Sequence, residues 1–382
     1  MRPTREQEEL RSAVRSLLAR YEGASAWAPL TGQIGVAGLW VPEEYEGAGY
    51  GAVEAHLVAA ELGRVLSPVP YLGSAVLAAQ ALLASADDAA CARLLPGIAA
   101  GAAVASLAWA EDGSWDPTAV RSTASPGPGG GWRIHGVKEH VLDGAGADVL
   151  LVAARTDAGV SLFEVAPDDP RVRGEATVTM DLTRSLARLA LEGAEGRLVG
   201  AEGDGARVLA HVLDLGCAAL AAEQVGAAER CLEVTVAYAR ERVQFGRPIG
   251  SFQAVKHRLA DAYVLVESAR SAALGAAYAA AAGAPDLPRY AAVAKSACSE
   301  ALSTVAGEMI QLHGGIGITW EHDAHRYFKR AHGSSQLLGA PALHRRRLAA
   351  ALGLTAGTDG PRPPHDAGPA DLADAVRSSA VK

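Results

Sequence analysis

Ala239-Arg-Glu-Arg-Val-Gln-Phe-Gly-Arg-Pro-Ile-Gly-Ser-Phe-Gln253 and Gln311-Leu-His-Gly-Gly-Ile-Gly-Ile-Thr-Trp-Glu321 are the two stretches on which the reading of this sequence turns. In the first, a helical pattern ends in Arg240 and Arg242, breaks at Gly246, and a new helix begins after Ser251, whose hydroxyl can cap it. Cations at one helix end, beside the open N–H groups of the next, make a suitable anion site. Arginine also favours a last helical turn with no ligand involved, so these residues alone leave both readings open. In the second stretch, successive glycines let a backbone approach a ligand closely, and Gln311 can hydrogen-bond an amide or a base edge. A plain glycine C-cap would look the same.

Working outward, helical signal is strong on either side. Val208, Val212, Leu215, Ala219, Ala222 and Val225 recur at three- and four-residue steps. A helix is expected from Ser251 to Ala282 and another from Pro288 to Leu312, ending at Gly314-Gly315. Long helices joined by short turns favour an antiparallel bundle, placed at residues 201–355. Upstream, residues 105–200 are richer in Val, Thr, Trp and turn residues. Trp132-Arg-Ile-His, Asp148-Val-Leu-Leu-Val-Ala and Gly159-Val-Ser-Leu-Phe-Glu-Val read as strands, with a hairpin turn at Thr156-Asp-Ala-Gly159 and a flexible loop at Pro126-Gly-Pro-Gly-Gly-Gly131. Residues 1–104 read as helices again, with Leu10, Val14, Leu17 and Leu18 forming one stripe. Pro42-Glu-Glu-Tyr-Glu-Gly-Ala-Gly-Tyr-Gly51 is read as a structural loop, because it opens no strand-to-helix fingerprint and is acidic. The Pro- and Gly-rich tail, 356–382, is expected to be disordered. The fold class is thus α+β, with a β-domain between two helical domains.

Bulk composition limits the function classes. A 382-residue chain that is 49% hydrophobic can bury a large core. A net charge of -8 argues against broad binding to nucleic acid or an anionic membrane. The charged N-terminus has no apolar signal core and no stretch of about 20 apolar residues is uninterrupted, so a soluble cytoplasmic protein is expected. Cys91, Cys217, Cys231 and Cys298 form no C-x-x-C pair and read as buried small hydrophobes. No metal is expected, since no histidines pair at a ligand spacing.

Together the two opening stretches resemble the acyl-CoA dehydrogenase family, which has an R-x-x-F-G turn and a Q-x-x-G-G turn at matching places in its helix order. The likeness runs from Glu6-Gln-Glu-Glu-Leu10 to Leu354 and includes Ala60-Glu-Leu-Gly63 and Tyr327-Phe-Lys-Arg330. It implies the acyl-CoA dehydrogenase fold with a C-terminal four-helix bundle. It also implies FAD shared across a subunit interface in a homo- or hetero-oligomer, an electron-transfer acceptor, and α,β-dehydrogenation of an acyl-CoA or acyl-carrier thioester. By resemblance Arg242 contacts the pyrophosphate with Gln244 and Phe245 beside it, while Gln311, Gly314 and Gly315 line the adenine end.

The chain departs from that pattern where the chemistry lies. The family's base, a Glu before a Gly and a Thr, falls on Leu338, and the alternative position used by some relatives falls on Gly216. One unusual carboxylate remains. Glu223, in Ala218-Ala-Leu-Ala-Ala-Glu-Gln-Val-Gly226, lies two turns beyond Gly216 on roughly the same face. Among apolar neighbours its pKa would rise towards that of a general base; the bland alternative is a buried Glu paired with an arginine. The flavin-facing segments also differ: T-E-P-G-x-G-S-D corresponds to Ala110-Glu-Asp-Gly-Ser-Trp-Asp116, and W-I-T to His140-Val-Leu142. An ADP end retained beside an altered ring end points to unlike subunits. The other readings are a catalytically silent scaffold completing a partner's FAD site, or a flavin monooxygenase on the same fold; a DNA-associated member fits the charge least.

Overall fold

The computed structural model describes residues 3–354. Four longer helices open the chain, with short helical turns between the first two: α1 (Arg5–Leu18), α2 (Ala52–Arg64), α3 (Tyr71–Ser85) and α4 (Asp88–Ala99). Helix α1 starts on a capping box, with Thr4 Oγ1 accepting from the Gln7 amide at 3.2 Å and the Gln7 side chain accepting from the Thr4 amide at 3.0 Å. Its buried face is Val14, Leu17 and Leu18, with Leu10 packed at the edge of the same core. The first eight residues of α3 have the wider π-helical winding, a feature with no simple sequence signal.

Seven strands follow: β1 (Ala105–Ala108), β2 (Thr123–Pro126), β3 (Trp132–Leu142), β4 (Val149–Thr156), β5 (Gly159–Val165), β6 (Val172–Ala176) and β7 (Leu186–Val199). They run β1-β4-β2-β3-β7-β5, and because β4 also pairs with β5 the sheet closes on itself, with β6 added on β7. Thr156 pairs with Gly159 across a two-residue turn, as the sequence indicates. Strand β7 is the longest and has the least obvious signature, since Arg188, Glu192, Glu195 and Arg197 interrupt its apolar residues. The alternation is that of a strand with one face in the core, and Ala187, Leu189, Leu191 and Ala194 are buried.

The remaining helices form the bundle: α5 (Gly205–Glu241), α6 (Gln253–Ala281), α7 (Leu287–His313), α8 (Ala324–Gln336) and α9 (Pro341–Ala351). A short hairpin, β8 (Val243–Gln244) with β9 (Arg247–Pro248), joins α5 to α6. Ser251 does not cap α6. It lies in a 3₁₀ turn, Ile249–Ser251, and the cap position is Phe252, with no side-chain bond to the helix. By length and composition α5 could cross a membrane, but 83% of its apolar window is buried inside the fold. It crosses α2 at backbone contact: a Cβ at Gly226 would overlap the Ala60 carbonyl, and one at Gly63 the Glu223 carbonyl. Only glycine permits that approach, which is how an Ala-rich sequence builds a close-packed core. The four cysteines are free and buried. The tail 356–382 lies outside the described residues.

Candidate active site and dinucleotide grip

A cleft of about 810 Å³ opens between the sheet and the end of α8. The loop between β1 and β2 contributes Trp115, strand β3 contributes His140, the loop between β6 and β7 contributes Met180 and Arg184, and the α8 end contributes Gln336 and Leu337. Two local devices aim Trp115 and His140. Between Lys138 and Val141 the β3–β7 register shifts by a bulge, and His140 within it takes a left-handed φ of 53°. Its imidazole lies beside the Trp115 indole, centroids 6.1 Å apart and 23° between planes. The loop carrying Trp115 is pinned by Glu111, whose carboxylate pairs with fully buried Lys138 and accepts from the Arg121 amide at 2.6 Å and the Ser122 hydroxyl at 2.7 Å. Those bonds hold the Glu111 carboxyl below its ordinary pKa against the opposing effect of burial, which is the largest single influence on it.

Leu338 and Gly216, far apart in sequence, meet behind this cleft. Leu338 is fully buried, and a Cβ added at Gly216 would come within 3.0 Å of its Cδ1 and 2.5 Å of Leu77 Cδ2. The leucine side chain occupies the space in front of the glycine, so neither position offers a proton acceptor.

Glu223 requires a correction. Its surroundings are not apolar: the carboxylate pairs with Arg184, and its Oε1 accepts from Arg330 at 2.7 Å. Arg330 is itself saturated. It donates to Thr183 Oγ1 at 2.9 Å and Thr183 O at 2.7 Å, reaches the Leu66 and Ser67 carbonyls at 3.4 Å, and pairs with Asp181 at 2.9 Å. The network ties the N-terminal helices, the sheet and the bundle together. Glu223 is absent from the residues lining the cleft, whereas its partner Arg184 is present there. Beside this network lies Asp143, a carboxyl raised to about 6 by burial, against which the charges of Arg184 and Arg330 only partly act.

The other predicted residues form a second group at the far end of α5 and α7. Arg242, Gln244 and Phe245 lie on the β8–β9 hairpin and are exposed, Phe245 to 91%. Gln311 lies in the last turn of α7, and Gly314 and Gly315 follow the helix, with no atom within 4 Å of a Cβ built at either glycine. Arg242 makes no ion pair among the described residues. None of these six residues lines the cleft. An unpaired cation on the hairpin and an open glycine backbone after α7 are groups of the kind that can hold a dinucleotide's pyrophosphate and adenine end. The ring end fits less well: the family's tryptophan and threonine positions carry His140 and buried Leu142, and neither supplies a broad stacking plane with a hydroxyl beside it. Among the described residues no group of three or more His, Cys, Asp or Glu could hold a metal ion.

Sequence reasoning did not assign Arg184, Arg330 or Lys295. Lys295 had a visible signal, a lone cation in Ala291-Ala-Val-Ala-Lys295 on an otherwise small-residue helix face. It is fully buried and donates to Ser299 Oγ at 3.1 Å and to the Ser334 and Ser335 carbonyls at 3.1 and 3.0 Å.

A closed sheet between N-terminal helices and a bundle of long helices is a flavoprotein dehydrogenase architecture, and comparison with known proteins agrees. Residues 4–102 match the acyl-CoA dehydrogenase N-terminal domain and residues 203–353 the acyl-CoA dehydrogenase C-terminal domain. The chain belongs to the acyl-CoA dehydrogenase family, and it has that family's fold. It is 42% identical to acyl-CoA dehydrogenase IpdE2 of Mycobacterium tuberculosis, over 91% of this chain and 98% of the relative. Among solved structures it resembles the ChsE4-ChsE5 complex from Mycobacterium tuberculosis, with a TM-score of 0.84, 32% identity, and 93% of this chain and 99% of that one covered. It also resembles the Tcur3481-Tcur3483 steroid ACAD, with a TM-score of 0.82, 34% identity, and 91% and 98% covered.

Proposed function

We propose that this chain is one subunit of a heteromeric FAD-dependent acyl-CoA dehydrogenase, supplying the ADP end of a flavin site whose ring end belongs to an unlike partner. The observation that carries this reading is the meeting of Leu338 with Gly216, which fills both family base positions with hydrocarbon. The two solved relatives that are complexes of paired proteins support it, and the steroid relative points to a bulky acyl group on the thioester. When bound, FAD supplies the two-electron acceptor for α,β-dehydrogenation, to be reoxidised by an electron-transfer acceptor. In this chain Arg242 neutralises the pyrophosphate charge, Gln244 and Phe245 flank it, and Gln311 with Gly314 and Gly315 receives the adenine end. Glu223 serves as counter-ion to Arg184 and Arg330, not as proton acceptor, so the base comes from the partner.

The scaffold alternative shares this geometry and differs only in whether this chain touches the thioester. The test is to purify the chain alone and co-expressed with its genomic neighbours, and to record the flavin absorption and native mass of each. A colourless chain that acquires FAD and acyl-CoA-dependent bleaching only with a partner is expected. A yellow homo-oligomer with one FAD per subunit that is bleached by acyl-CoA would overturn the proposal.

A further inference from the structure

The residues assigned to the dinucleotide grip are all exposed, and they come from two separate connections: the hairpin after α5 and the glycine turn after α7. A hairpin of two-residue strands has little stiffness of its own. What connects it to the glycine turn is a part-buried contact at its base. Tyr238 lies in the last turn of α5 and accepts the Arg242 amide on its carbonyl at 2.8 Å. Its ring stacks on His313, the last residue of α7, with centroids 4.3 Å apart and 25° between planes. The Tyr238 hydroxyl also reaches the His313 carbonyl at 3.4 Å. His313 also meets His322, centroids 4.4 Å apart at 43°.

The hydrogen bonds fix how these rings are held. His313 is buried, with its Nδ1 2.7 Å from the Met309 carbonyl; a carbonyl only accepts, so the proton is on Nδ1. His322 Nδ1 accepts the Ala324 amide at 3.0 Å, which anchors that ring to the start of α8. The three rings therefore form one chain from the arginine hairpin, under the glycine turn, to α8.

We infer that Tyr238, His313 and His322 are positioning residues: their stack sets the spacing between Arg242 and the Gly314-Gly315 backbone, and so the affinity for the ADP end of a dinucleotide. The inference rests on the reading of those residues as an FAD grip, and the experiment separates the two. FAD dissociation constants are measured by ultrafiltration of the flavin-bearing form, with the partner where one is needed, for Tyr238→Leu, Tyr238→Phe, His322→Ala and Arg242→Ala. Loss of a stacked ring should weaken FAD by about fivefold in Tyr238→Leu and His322→Ala, while Tyr238→Phe, which keeps the ring, stays within about twofold of wild type. His322→Ala keeps the inference testable if Tyr238→Leu does not fold. Unchanged FAD affinity in both stack variants, alongside flavin loss in Arg242→Ala, overturns the stack's role, even if thermal stability falls. Unchanged affinity in Arg242→Ala overturns the underlying grip.

Discussion

At the scale of single residues, the deciding question is which carboxylate could do proton chemistry. Glu223 is spoken for by Arg184, which is mostly buried, and Arg330, which is buried, and removing its charge leaves two guanidinium groups short of a partner. Glu223→Gln is expected to destabilise the fold by about 3 kcal/mol, measured by denaturant unfolding. In the assembled enzyme it should leave turnover per bound flavin intact, and a folded, flavin-bearing variant without turnover would restore Glu223 as the base. Asp143 behaves in the opposite sense. Its carboxyl is raised to about 6 from 3.8, so between those values the native state holds a proton that the unfolded chain has lost. Its contribution is present below pH 3.8 and lost as pH rises to 6. Asp143→Asn should therefore be more stable than wild type at pH 7 by about 1–3 kcal/mol, with the difference vanishing below pH 4.

At the scale of elements, the wall of the cleft depends on how α8 ends. The last carbonyls of that helix have no helical partner, and Lys295 on α7 reaches across to two of them. The partial negative charge of the helix terminus is its counter-charge, since no carboxylate pairs with it among the described residues. Burial lowers the ammonium to about 8 from 10.5. Between those values the unfolded chain holds the extra proton, so this group makes stability rise with pH from about 8 to 10.5. Lys295→Met should remove that slope from the wild-type profile and speed amide exchange at Leu337 and Gly339, both of which wall the cleft. An unaltered slope and unaltered exchange would show that α8 ends firmly without the lysine.

At the scale of the whole molecule, exposed apolar side chains cluster beside the two sites. Val178 and Leu182 flank the cleft at 95% and 74% exposure, and Ile318 and Trp320 follow the glycine turn at 72% and 79%. Surfaces of this kind are covered in a functional assembly. Leu182→Glu is expected to shift the native mass of the assembled complex towards free subunits, with the fold intact by circular dichroism. A complex of unchanged mass would show that the β6–β7 loop lies outside the interface.

The sequence by itself determined the order of helices, sheet and bundle, because periodicity and turn residues are local signals that survive without tertiary context. It also located the hairpin arginine and the glycine turn, whose residue types are unusual wherever they fall, and it showed that Leu338 and Gly216 cannot accept a proton. It did not reveal β7 clearly, since the charged residues on that strand's outer face hide a half-buried alternation. Nor could it tell what Glu223 faces: a carboxylate in an apolar run looks isolated until Arg184, 39 positions before it, and Arg330, 107 after it, arrive by folding. The encounter of Leu338 with Gly216, the buried reach of Lys295 and the Tyr238–His313–His322 stack were likewise decided only by the tertiary structure. Each is a contact between elements distant in sequence, and the pattern of any one helix says nothing about which neighbour will cover it.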